Sequence, residues 1–144
     1  MKPKEFISKL DEARIVKGIA EAEKRSSGEI RVWISERKRD NALEAARARF
    51  ATLGMHKTRQ RNAVLIYFAP VTRQFAIWGD EGVHAKCGED FWKHIVEGMR
   101  PLLKEEKYTE GVELAVKEVG AVLARHFPRE PGDINELPDN LVRD

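Results

Sequence analysis

The sequence predicts an α/β domain on a small mixed sheet, from three stretches. "EIRVWIS" (29–35) alternates, "AVLIYFA" (63–69) is apolar at every position, and "QFAIW" (74–78) follows after a short link. Alternation marks a strand, and a wholly apolar run marks one covered on both faces. Helical spacing between the first two strands makes them a crossover unit, parallel and right-handed. The link Pro70-Val71-Thr72-Arg73 suits a hairpin, so the third strand runs antiparallel to the second. The order 1-2-3 follows, with the apolar strand in the centre.

The elements follow in chain order. Asp11 reads as the N-cap of a helix with Ile15, Ile19 and Ala22 on one face, closed by Gly28 in a left-handed conformation. Ile30, Val32 and Ile34 then form one side of the first strand, with Arg31 and Trp33 on the other. Asp40 reads as the cap of the crossover helix, whose Leu43, Ala46, Phe50 and Leu53 recur at helical spacing before Gly54. After the hairpin, Phe91, Trp92, Ile95, Val96 and Met99 predict a helix that stops before Pro101. A last helix starts near Thr109 and carries Val112, Ala115, Val116, Val119, Val122 and Leu123. This places a single domain at 1–128 and an irregular, proline-containing tail at 129–144.

Composition narrows the function classes. A chain of 144 residues suits one core, and 42% apolar with 35% charged residues suits a compact domain with a charged surface. No apolar run approaches the roughly 20 residues that span a bilayer, and the start "MKPKEFISKLDEARIV" does not read as a signal peptide. A cytoplasmic protein is the expectation. One cysteine, Cys87, excludes an intrachain disulfide and a thiolate metal cluster, and it reads as a small semi-buried hydrophobe. A net charge of +2 does not argue for nucleic acid. The basic clusters "ERKRD" (36–40) and "HKTRQRN" (56–62) fall at opposite ends of the sheet, so no nucleic-acid surface is expected. His56, His84, His94 and His126 show no metal-ligand spacing.

The topology itself picks out a site. The first strand begins after Ser27-Gly28, the second after Arg61-Asn62, and the antiparallel third ends at Gly79-Asp80-Glu81. One end of the sheet therefore gathers Glu29, Asp80 and Glu81 with Ser27, Arg61 and Asn62. Carboxylate and amide oxygens suit a hard cation, Ca²⁺ or Mg²⁺, with Asp80, Glu81 and Glu29 as metal ligands and the other three as supporting polar residues. Two structural readings stay open beside it: Arg61 pairs with the carboxylates, or Asp80 caps a short helix from Val83. Glu89 and Asp90 read as first-turn acids that complement a helix dipole. At the opposite end, Glu36 to Arg39 beside Pro70 to Arg73 form a basic set that could hold an anion.

The stretches "AEKRSSGEIRVWI", "FATLGM", "RNAVLIYFAP", "RQFAIWGDEGV", "FW" and "RHFP" together resemble the TPM domain, in its short soluble bacterial branch. The family takes its name from a thylakoid lumen phosphatase, a photosystem II repair protein and a nematode receptor modulator. The resemblance covers roughly Leu10 to Pro128. It implies an α/β/α sandwich and, as in some members, binding of calcium or another divalent cation or phosphatase activity. Its polar pattern falls on Ser27, Gly28, Glu29, Arg61, Asn62, Gly79 and Asp80. "FISKLDEAR" lacks the acids and glycine that longer members carry before the first helix. Three functions follow as expectations: cation binding, a weak metal-dependent phosphatase, or a non-catalytic interaction module with a protein partner in membrane-protein maintenance.

Overall fold

The computed structural model describes residues 2–129 and 141–143. The elements are α1 (Pro3–Ser8), α2 (Glu12–Lys24), β1 (Glu29–Ile34), α3 (Ala42–Thr52), β2 (Ala63–Ala69), β3 (Gln74–Gly79), α4 (Glu81–Cys87), α5 (Glu89–Lys104), α6 (Tyr108–His126) and β4 (Val142–Arg143). The sheet order is β3-β2-β1-β4. β1 runs parallel to β2 with Glu29 opposite Ala63, and β3 runs antiparallel to β2 with Val64 opposite Gly79. The mixed sheet and the 1-2-3 order predicted from sequence are present.

β2 is buried along its whole length because both faces are covered. Val64, Ile66 and Phe68 pack into a large core with Ile15 and Ile19 of α2, Ile95 and Met99 of α5, and Val112 to Leu123 of α6. Ala63, Leu65, Tyr67 and Ala69 face the other way, against Ala42, Ala46 and Phe50 of α3. Helices thus lie on both sides of the sheet, a three-layer α/β/α sandwich. The small residues on the α3 side let a single helix approach β2 and β3 closely.

Several local expectations need correction. The cap of α3 is Asn41, whose side chain accepts the Glu44 amide at 3.1 Å, and Asp40 lies one residue too early. Gly28 does not take a left-handed conformation; α2 ends at Lys24, and the cap residue Arg25 stays right-handed. What Gly28 supplies is clearance, since a Cβ there would meet Leu123 Cδ1 at 2.8 Å. α5 does not stop before Pro101 but continues to Lys104. Pro101 removes one helical N–H. The buried Met99 and the partly buried Leu103 nonetheless keep the helix on the core beyond it.

Two elements add to the sequence reading. α1 brings Phe6 into the core, with its ring 5.5 Å from Phe68 and 4.9 Å from Tyr108. At the far end of the chain, Val142 and Arg143 pair in parallel with Trp33 and Ile34 of β1. The expected irregular tail therefore ends in a short strand, while 130–140 and 144 lie outside the described residues. Among the described residues no helix is long and apolar enough to cross a membrane.

Candidate functional site

The three predicted loops do meet at one end of the sheet. A turn from Thr58 leads into β2, with the Arg61 amide on the Thr58 carbonyl at 3.2 Å and the Asn62 amide on Thr58 Oγ1 at 3.3 Å. Arg61 itself sits at φ 53°, a left-handed backbone uncommon outside glycine. β3 stays paired past its end, since the Asp80 amide donates to the Ala63 carbonyl at 3.0 Å. The chain then turns into α4, and Asp80 caps it by accepting the Glu81 amide at 2.8 Å. Helix capping by Asp80 is thus present, with the helix starting at Glu81 rather than Val83.

α4 docks on the turn before β2 through Gly82. Its amide donates to the Arg61 carbonyl at 2.9 Å, and a Cβ there would collide with the carbonyl oxygens of Gln60 and Arg61. That close approach brings the Arg61 side chain onto the carboxylates. Its Nε and Nη2 bond the two oxygens of Asp80, and Nη1 lies 3.2 Å from Glu81 Oε1. Two hydrogen bonds in one plane form the fork geometry that makes arginine–carboxylate pairs strong. The bond to Asp80 is the main cause holding the Arg61 pKa above its ordinary high value, so the guanidinium stays charged. Asp80 is buried, with its side chain 6% exposed, whereas Glu81 is 74% exposed.

Ser27 and Asn62 belong to a second set. Ser27 Oγ accepts from Asn62 Nδ2 at 3.0 Å and from Gln60 Nε2 at 3.1 Å. The Ser27 amide donates to the Phe127 carbonyl, so this set ties the start of β1 to the end of α6. Glu29 is tied to this end of the sheet through its backbone amide, which donates to the Asn62 carbonyl. It is buried, opposite Ala63, which separates it from Asp80 by two strand spacings of about 4.8 Å. Among the described residues no three His, Cys, Asp or Glu side chains gather as a metal-holding group.

A cleft of about 730 Å³ lies beside Asp80, over the outer edge of β3. Trp78, Trp92, His56 and His84 line it along with Arg61 and Asp80. His84 Nδ1 accepts from Trp92 Nε1 at 3.3 Å, and Arg47 sits 5.9 Å from the Trp78 ring centroid. Sequence spacing does not link the two histidines, because His56 lies in the turn after α3 and His84 within α4. Trp33 is buried under Arg49, while Trp78 is only partly buried. Cys87 ends α4 and packs against the core, and burial pushes its thiol pKa up.

The comparisons with known proteins agree with this fold. The sequence pattern of the TPM domain matches residues 1–122. The NMR structure of BA42 protein, from the psychrophilic bacterium Bizionia argentinensis sp. nov., superposes with a TM-score of 0.84 at 33% identity, covering 92% of each chain. A search of curated proteins finds no match. With most of its length matched by the family pattern, the chain belongs to the TPM domain family.

Proposed function

We propose that this TPM domain binds a divalent cation, Ca²⁺ or Mg²⁺, through Asp80 and Glu81, and that the cation enters by displacing the Arg61 guanidinium. The observation behind it is that two carboxylates already converge on one positive group, which is itself 42% exposed. Two carboxylates with solvent completing the shell fit a weakly held, hydrated ion. They do not fit a closed protein cage. Ser27 and Asn62 remain outside the ligand set because they bond each other, and Glu29 because it is buried two strand spacings from Asp80. A cation of this kind supplies Lewis-acid polarisation of an anionic ligand's oxygen. Arg61, once released, faces the mouth of the cleft, where it can meet such an anion.

The test is a Ca²⁺ and Mg²⁺ titration followed by amide NMR. Wild type is expected to shift at 61 and 79–83, Asp80→Asn to lose the response, and Arg61→Gln to bind more tightly because the competing charge is gone. Shifts confined to other loops, or an Arg61→Gln protein that binds no better than wild type, would sink the proposal. A second reading, a protein-interaction module, rests on Trp78, partly buried on the outer strand. It requires a partner whose capture from lysate is lost in Trp78→Ala; no capture by wild type rejects it.

A further inference from the structure

The opposite end of the sheet carries a separate cleft, of about 640 Å³, between α1, α5 and the β2–β3 hairpin. Rings line it, the partly exposed Phe75 at its surface and Phe68, Phe6 and Tyr108 buried behind it. Tyr108 lies 4.9 Å from Phe6, Phe6 5.5 Å from Phe68, and Phe68 6.2 Å from Phe75, centroid to centroid. Arg73, Arg100 and Lys104 stand on its rim, with the Arg100 guanidinium 5.7 Å from the Phe75 centroid. Among the described residues Arg73 and Lys104 make no ion pair, and Arg100 reaches Glu97 at 3.9 Å. Of the two acids on the rim, Glu106 is engaged by Lys9 at 3.4 Å, which leaves Glu5 against Arg73 and Lys104, with Arg100 shared with Glu97.

The backbone points to the same place. Three non-glycine residues have a positive φ among the described residues, and two of them, Arg73 at 55° and Glu106 at 61°, line this cleft. Such strain persists where the surroundings enforce it, and it concentrates at ligand clamps. Arg73 reaches that conformation because it closes the turn Pro70–Thr72, its amide on the Pro70 carbonyl.

We propose that this cleft binds a small aromatic carboxylate, its ring against Phe75 and its carboxylate among Arg73, Arg100 and Lys104. The volume lies in the range of pockets that enclose small organic ligands. Aromatic rings reward an aromatic body beyond its buried area, and an arginine fork matches a carboxylate. The basic end expected from sequence thus acquires its cations from α5 and Arg73 rather than from Arg37 to Arg39. This site is independent of the cation reading at Asp80.

The experiment titrates indole-3-acetate, its neutral twin indole-3-ethanol, and acetate into the protein under amide NMR. Indole-3-acetate is expected to shift residues 73–76 and 100–104, with the neutral twin about tenfold weaker for want of a charge-assisted bond. Acetate should shift none of them. Arg73→Gly with Lys104→Gln is expected to weaken binding about tenfold or more by the same reasoning. Glycine accepts the left-handed backbone, so the melting temperature should not fall and misfolding cannot explain the loss. Equal binding of the neutral twin, shifts elsewhere, no shifts at all, or unchanged binding by the double variant would each overturn the proposal.

Discussion

Arg61 holds both carboxylate oxygens of Asp80, Oδ2 at 2.7 Å and Oδ1 at 2.9 Å, while Oδ1 also accepts the first amide of α4. One carboxylate therefore fixes a helix start and a loop arginine together. Asp80→Ala removes the cap, which costs about 1 kcal/mol of stability. Asp80→Asn keeps an oxygen for the Glu81 amide and should lose less. Urea unfolding distinguishes them, and an Asp80→Ala protein as stable as wild type contradicts the capping role.

Gly82 is the contact on which this geometry depends. A methyl group there would lie 2.5 Å from the Arg61 carbonyl oxygen, and backbone cannot yield as a flexible side chain does. Gly82→Ala is expected to cost about 1–3 kcal/mol, as overpacked sites do. Amide shifts should concentrate at 60–62 and 80–84. An undisturbed spectrum at those residues contradicts the close approach.

Tyr67 is fully buried in the α3-side core, and its hydroxyl has no hydrogen-bond partner among the described residues. A buried hydroxyl without a partner carries its desolvation cost uncompensated. Tyr67→Phe keeps the ring and removes that cost. It should leave stability unchanged or raise it by about 1 kcal/mol. A clear loss in thermal unfolding would show that the hydroxyl has a partner.

Cys87 gives a pH prediction whose sign follows from burial. The folded state raises the thiol pKa, so the unfolded chain releases this proton first as pH rises. The stabilising contribution is complete below the unfolded value of about 8.5 and is lost as pH climbs through the folded one. Iodoacetamide should label the native thiol more slowly than the urea-unfolded one at about pH 8.5. Cys87→Ala should flatten the decline in stability over that interval. Equal labelling rates contradict the shift.

Much of this was legible because local patterns and topology agreed. Asp11 before an apolar helical face, the uniform run at 63–69 and the short link at 70–73 each had one dominant physical cause. The meeting of Arg61 with Asp80 followed from strand direction alone. Asn41 and Asp40 are both good caps, so neighbouring residues left the start of α3 open. Pro101 misled because tertiary packing of Met99 and Leu103 outweighed a local breaker. β4 has only two residues, too few for any periodicity. Glu29 reads as one more acid beside Asp80 until the register shows Ala63 between them. Arg73 was legible as part of a basic end of the sheet, but Arg100 and Lys104 were not, since they join it only when α5 packs against the hairpin.

The left-handed residue at the hairpin has a reach well beyond its own turn. Successive side chains of β3 point to opposite faces, so Trp78 and Asp80 look toward α3 while Gly79 lies beneath Trp92. The turn closed by Arg73 sets which residue comes first, and the six residues of β3 carry that choice about 20 Å to the far end. A slip of a single residue would turn the carboxylate away from Arg61 and press a side chain into Trp92. The hairpin acts as a phase setter: it decides at one pole of the molecule which chemistry is presented at the other.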